Sequence, residues 1–272
     1  MINLEKPEQA RSDGRTANQL RPMVCSRGLL ERAHGSARWQ QDNTIIMAAV
    51  YGPKPVSGKK ENPERATLEV LWKTKSGIAG NTEKEAEVTI RRTLEYIVLS
   101  SMHPNTGISI VFQVVNDDGA ILACAMNAAC AALVDAGIPL NGLIVAVSVG
   151  VSTHGVVVVD PTKVEEKNFR AHVCLVFPNR PKCAVAGLPA PVGGEPAEHG
   201  IISCVTRGAM SVDEYMTCLE RGRAASVKIT SLIRNSLEHC QLLQVVGVEF
   251  GAVAGSPVPG EAFFAIAVLL GP

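Results

Sequence analysis

The sequence predicts a mixed α/β sandwich with crossover connections, built as one domain, and three features predict it. Runs with a period of two alternate with longer helical patterns, in the order several strands, helix, strand, helix, several strands, helix. The 272 residues are 46% hydrophobic but only 4% aromatic, with Ala and Val prominent, which suits thin, closely spaced layers. The stretch DDGAILACAMNAACAALVDAG (117–137) forms a helix of Ala and Cys with no charge before Asp135, a surface able to press close against a sheet.

The elements follow in order. Residues 1–12 read as a flexible arm and residues 13–240 as the domain. Alternation begins near Ala37, and TIIMAAVYGP (44–53) is a buried strand stopped by Gly-Pro. After a polar loop (54–65), Leu68, Val70 and Trp72 share one face of a strand, with Glu69, Leu71 and Lys73 on the other. A helix is expected from Thr82 to Met102, opened by a Thr82/Glu85 capping box and ended by His103-Pro104, with Ile90, Leu94, Ile97 and Val98 as its apolar stripe. ISIVFQVV (108–115) is a strand, and Gly137 suits the left-handed end of the Ala/Cys helix.

Residues 143–150, 155–161 and 170–177 are further strands, with a turn at Pro178-Asn179-Arg180. PAPVGGEPAEHG (189–200) reads as an exposed insertion, IISCVTRG (201–208) as a strand, and SVDE (211–214) as the cap of a helix running to about His239. Residues 241–272 form an atypical apolar tail, open to two readings: an extra edge element or a poorly ordered end.

Composition excludes several classes of function. Lys plus Arg equals Asp plus Glu, 26 each, so no global charge draws the chain to nucleic acid or an anionic membrane. The eight cysteines form no C-x-x-C pair and mostly sit in apolar runs, as buried free thiols rather than zinc ligands. The polar N-terminus has no signal-peptide core, and Ala262 to Leu270 is too short to span a bilayer, so a soluble intracellular protein with no membrane partner is expected. No P-loop or dinucleotide fingerprint is present, which counts against a nucleotide-dependent small-molecule enzyme.

The candidate site residues carry open alternatives. Lys73 and Lys75 at a strand end either meet a phosphate backbone or protect a solvated edge. Arg91 and Arg92 on the first helix either face a groove or form surface ion pairs. Asp160 ends an all-valine strand; with Glu165 and Glu166 it either holds Mg²⁺ and moves a proton, or it caps a turn beside solvated glutamates. His103, His154 and His172 have no evident partner and receive no role.

DGRTANQLRP (13–22), HGSARWQQDNTIIMAAVYGP (34–53), IRRTLEYIV (90–98), VVNDDGAILACAMNAACAALVDAGIP (114–139) and VVVVDPTKVEEK (156–167) follow one another as in the RNase PH family. The chain resembles the RNase PH-like ring subunits of the eukaryotic RNA exosome. The resemblance implies an RNase PH-like β-α-β-α sandwich (ribosomal protein S5 domain 2-like), in a six-membered ring with other RNase PH-like subunits, cap proteins and RNA. It further implies 3′-to-5′ RNA processing and degradation in nucleus, nucleolus and cytoplasm.

Active relatives read G-T-R-T-A where this chain has Gly119-Ala120-Ile121-Leu122-Ala123, so Ile121 replaces a phosphate-gripping arginine, and a second such arginine falls at Thr82. A degenerate phosphate site is expected, with no cofactor required. Mg²⁺ or inorganic phosphate would be used only if activity remains, the metal then held by Asp160 and Glu166. The family's catalytic carboxylate falls near Glu166, Glu165 next, while Asp160 matches a strand-end aspartate. Lys75, Arg91 and Arg92 fall in regions that contact RNA in relatives. The alternative is an active nuclease, phosphorolytic or Mg²⁺-dependent and hydrolytic, working as a homodimer.

Overall fold

The computed structural model describes residues 11, 13–56, 62–75, 80–179 and 200–251, with side chains described as far as Leu237 in the last helix. A five-stranded sheet comprises β1 (Met23–Arg27), β2 (Gly35–Gln41), β3 (Thr44–Pro55), β4 (Thr67–Lys73) and β5 (Thr106–Asn116) in the order β1-β2-β3-β5-β4. All its pairings are antiparallel except β4–β5, which is parallel because α1 (Asn81–Ile97) provides the crossover. A four-stranded antiparallel sheet follows the order β7-β6-β8-β9, from β6 (Leu143–Ser152), β7 (Val157–Val159), β8 (Phe169–Asn179) and β9 (Ser203–Gly208). α2 (Ile121–Asp135) lies between the sheets, touching β2, β3 and β6, and α4 (Val212–Gly251) covers the far side of the second sheet. α3 (Lys163–Asn168) is a short turn of helix between β7 and β8. The layers run β-α-β-α.

The central helix works by having almost no side chains. Ala123 to Leu133 are all buried, so α2 is apolar on every face, as a helix covered on both sides must be. Its one interior polar residue, Asn127, is fully satisfied: Nδ2 donates to the Ala146 carbonyl (3.0 Å) and Oδ1 accepts from Ala146 N (2.8 Å) on β6. At the far end the backbone itself touches the sheet. A Cβ built on Gly35 would lie 2.2 Å from Ala136 N and 2.6 Å from the Ala132 carbonyl oxygen. Asp135, the first charge in the helix, accepts from Ser36 N (2.9 Å) and Gly28 N (3.2 Å), and Gly137 is left-handed as expected.

Several boundaries differ from the sequence expectation. α1 starts at Asn81 rather than Thr82, because Glu83 Oε2 accepts from Gly80 N (2.8 Å); the Thr82/Glu85 box does not form. The helix ends at Ile97, not Met102, because the next residues pair elsewhere: Leu99 N donates to the Pro139 carbonyl and Val98 bridges to Leu140. Only a 3₁₀ turn, Ser100–Met102, follows. Pro178 lies inside β8, not in a turn. Val176 accepts from Ile202 N, so Pro178, two residues on, directs its missing N–H past the last paired residue of β9, Ser203. α4 continues to Gly251, beyond the expected His239.

Arg11, assigned to the arm, is 8% exposed and deeply bonded. The remaining arm residues, most of the 189–200 insertion and residues 252–272 of the tail lie outside the described residues. Among the described cysteines all are free; Cys124, Cys130, Cys174 and Cys218 are buried as expected, while Cys204 is exposed. Burial pushes the Cys130 thiol up to about 11 and the Cys174 thiol to about 12. Among the described residues no helix is long and apolar enough to cross a membrane.

Gly35→Ala is expected to lower unfolding free energy by about 1–3 kcal/mol, since backbone rather than a side-chain tip must give way. Urea denaturation monitored by circular dichroism measures it. An unchanged midpoint would show that the helix and sheet do not approach as described.

Candidate functional site

The N-termini of α1 and α2 open onto a cleft of about 960 Å³, walled on the far side by β8 and β9. The entry to α2 is a tight turn. Gly119 has φ +89°, and a Cβ there would lie 2.6 Å from Lys163 N and 2.7 Å from the Pro161 carbonyl oxygen, so α3 sits directly against it. Ala120 follows in the left-handed region at φ +55° and caps the helix without any side-chain acceptor. The acceptor comes from α3 instead: Glu166 Oε1 takes Ala120 N at 2.8 Å. A helix N-terminus attracts an anion, and here the chain's own carboxylate occupies it. Burial pushes the Glu166 carboxyl up, and the Ala120 N–H offsets this only in part.

Behind that turn lies a buried ion network. Asp160, itself left-handed at φ +55° and 1% exposed, receives Arg21 through Nη2 to Oδ1 (2.7 Å), Nε to Oδ2 (3.0 Å) and the backbone N to Oδ2 (2.9 Å). Arg15 Nη1 approaches Oδ2 at 3.5 Å. Arg21 also donates to the Asp118 carbonyl (2.8 Å) and, with Thr44 Oγ1, to the Gly119 carbonyl, so it grips the site turn directly. Arg11 donates to both oxygens of Glu165 (2.9 and 2.7 Å) and to the carbonyls of Val159 and Asp160. Glu165 also closes the α3 cap, accepting from Thr162 N at 2.9 Å. Burial raises the Glu165 carboxyl, but the bonds from Arg11 and Thr162 outweigh it and hold it below the usual range.

The expected site residues therefore separate. Thr82, Ile121, Lys75 and Glu166 line the cleft together. Asp160 does not: expected at an open rim as a catalytic or metal-binding group, it is sealed beneath the turn with its oxygens committed to arginine. Glu165 is likewise committed to Arg11. A magnesium ion does not fit this set, because the Asp160 side of it is already neutralised by a guanidinium. Among the described residues no group of three or more His, Cys, Asp or Glu stands ready to hold a metal. Lys73 faces away from the cleft, on the outer side of β4, and neither Arg91 nor Arg92 lines it; Arg91 lies 3.9 Å from Glu95 one helical turn on.

The structure adds residues that sequence reasoning missed. Arg207 on β9, Lys163 on α3 and His172 on β8 line the cleft. Arg207 pairs with Glu85 (3.3 Å) and Lys163 with Asp117 (2.5 Å), so neither cation is free. His172 Nε2 meets the Glu166 carbonyl oxygen at 2.8 Å, positioning α3. The histidine aside, the described lining holds three cations (Lys75, Lys163, Arg207) against four carboxylates (Glu83, Glu85, Asp117, Glu166). One negative charge is in excess. Ile121, Leu122, Val114 and Trp72 give the rest of the wall an apolar character.

Comparison with known proteins gives a consistent picture. Residues 19–139 match a family model described as 3′ exoribonuclease family, domain 1 (RNase PH). The chain is 50% identical over 228 residues to an Arabidopsis thaliana protein named exosome complex exonuclease RRP46 homolog, covering 84% of this chain and 95% of that one. It is 32% identical over 176 residues to the mouse protein named exosome complex component RRP41, covering 61% of this chain and 71% of that one. The crystal structure of rice Rrp46 superposes with a TM-score of 0.73 at 48% identity, covering 84% of this chain and all of the other.

The two adjacent glutamates should respond oppositely to pH. Glu165 has a depressed carboxyl, so its stabilisation is present above its unfolded value of 4.5 and is lost as pH falls through the folded value. Glu165→Gln should cost about 2 kcal/mol at neutral pH and much less in acid. Glu166 has a raised carboxyl, so its contribution is full below 4.5 and is lost as pH rises through the folded value. Glu166→Gln, which keeps an acceptor for Ala120, should gain on the parent protein as pH rises toward 7. Melting temperatures between about pH 4 and 8 measure both; a shared sign would refute the assigned environments.

Proposed function

This chain belongs to the 3′ exoribonuclease (RNase PH) family, and we propose that it serves as an RNase PH-like subunit of the RNA exosome core, contacting RNA in 3′-to-5′ processing and degradation with little or no phosphorolytic activity of its own. That role covers rRNA processing and mRNA decay in nucleus, nucleolus and cytoplasm, with other RNase PH-like subunits and cap proteins as partners. The finer identity is exosome component five; the sequence resemblance argues for it, and the half-identical relatives named RRP46 support an exosome subunit.

The observation that carries the catalytic half of this reading is the Glu166 carboxylate on Ala120 N. Phosphorolysis must hold a phosphate dianion against a phosphodiester, which needs charged donors aimed at the anion. Here Ile121 and Thr82 supply no charge, the nearby cations Lys163 and Arg207 are paired, and the described lining is one charge negative. Among the described lining residues only Lys75 is a cation with no ion pair of its own.

A second reading, a nuclease acting as a homodimer, has one favourable feature. The raised Glu166 carboxyl suits a proton carrier. Its phosphorolytic form meets the charge obstacle above, and its Mg²⁺-dependent form lacks a fitting donor set.

Purified full-length protein incubated with 3′-labelled RNA separates these readings. No phosphate-dependent release of nucleoside diphosphates is expected; such release would overturn the proposal. Phosphate-independent hydrolysis lost in Glu166→Gln would favour the second reading.

A further inference from the structure

We infer that the outward face of the five-stranded sheet docks a different protein chain, one with apolar side chains at its centre and carboxylates around them. α1 and α2 both pack on the inward face, and α4 meets this sheet at β1, where Arg27 donates to the carbonyl of Ser236 from the inward side. Among the described residues no helix covers the outward face. A sheet with one side in water ordinarily alternates apolar inside and polar outside. β3 breaks that rule: its inward residues Ile46, Ala48 and Val50 are fully buried, and its outward residues Ile45, Met47, Ala49 and Tyr51 are apolar too.

Register extends this stripe sideways. Ala49 lies beside Val111 on β5, and Val111 beside Leu71 on β4. Leu71 is 41% exposed, a large aliphatic residue held in solvent between Glu69 and Lys73. An apolar centre with a polar rim is the anatomy of a protein interface. Among the described residues the rim carries Arg38, Lys54 and Lys73 against one carboxylate, Glu69.

This charge decides the occupant. Two copies of the chain meeting face to face would oppose like charges, whereas a partner with an acidic rim would be attracted. RNA is a poor match, because a sheet that binds single strands uses several aromatic rings for base stacking. Among the described residues Tyr51 is the one aromatic on this face, and the Lys54 ammonium already lies 5.5 Å from its ring centre.

The inference rests on the proposed exosome role for its choice of probe: the other RNase PH-like exosome subunits of the source organism, co-expressed with the full chain. Hydroxyl-radical footprinting would compare Met47 and Leu71 in the chain alone and in the purified assembly, with exposed Val227 on α4 as reference. Labelling should fall about five-fold on assembly, and Leu71→Glu should reduce assembly about ten-fold or more. Lys73→Glu should also weaken it, by an amount that shrinks with added salt. Unchanged melting of these surface variants, with Leu71→Ala as a milder substitution, separates docking from folding.

A wild-type chain that joins the set with Met47 and Leu71 still labelled sinks the inference alone. One that fails to join, with both residues labelled throughout, sinks the exosome role as well. Protection in the isolated chain also overturns the inference: a doubled mass would assign the face to a second copy, and restored labelling on deleting residues 252–272 would assign it to the chain's own tail. Protection by single-stranded RNA instead of the subunits would assign it to nucleic acid.

Discussion

The buried pairing of Arg21 with Asp160 ties together three segments that are distant in sequence. It joins the strand-free stretch before β1, the turn between β5 and α2, and the turn between β7 and α3. Each ion is about 1% exposed, and neither is affordable alone in a dry interior. The pair is tolerable because its remaining donors also find acceptors: Asp118 and Gly119 carbonyls for the guanidinium, a backbone N–H for the carboxylate. The same bonds brace the turns in which Ala120 and Asp160 take left-handed conformations, the more costly of the two at Ala120.

That frame determines what the cleft can do. With the β5–α2 turn gripped from behind and α3 pressed on Gly119, the Glu166 carboxylate falls on the open end of the central helix. The chain thus contains its own anion at the place where an anion would otherwise be drawn. An apolar residue at Ile121 fits this arrangement, because a turn whose backbone donor is already satisfied has no need of a cation beside it. Thin packing serves the same end: a helix of Ala and Cys brings both sheets close enough for residues of α3 and β8 to reach its first turn.

Much of the scaffold was legible in the sequence because it is local. Period-two runs, the Ala/Cys helix and Gly137 each carry their own signal over a few residues. Thr82, Ile121, Lys75 and Glu166, singled out through their order along the chain, all line the one cleft. What failed was long-range. Nothing near Asp160 in sequence announces Arg21, 139 residues away, so a carboxylate sealed beneath the turn read as one at an open rim. Arg11 sat in a polar stretch resembling an arm, though its partner is Glu165. The alternation that identified β4 put Lys73 and Lys75 on one candidate patch, but the chain turns after Lys73 and sends them to opposite sides of the sheet. Helix ends moved for the same reason, since Val98 and Leu99 answer to residues 139–140 rather than to their own neighbours.

The central claim is that an internal carboxylate, rather than phosphate, satisfies the entry to the central helix. A crystal structure of the full chain grown in concentrated inorganic phosphate tests it directly. Glu166 Oε1 should remain on Ala120 N, with no phosphate ordered between Ile121 and Thr82. A phosphate oxygen on Ala120 N, with Glu166 swung aside and a side chain such as Lys75 closing over the anion, would contradict it.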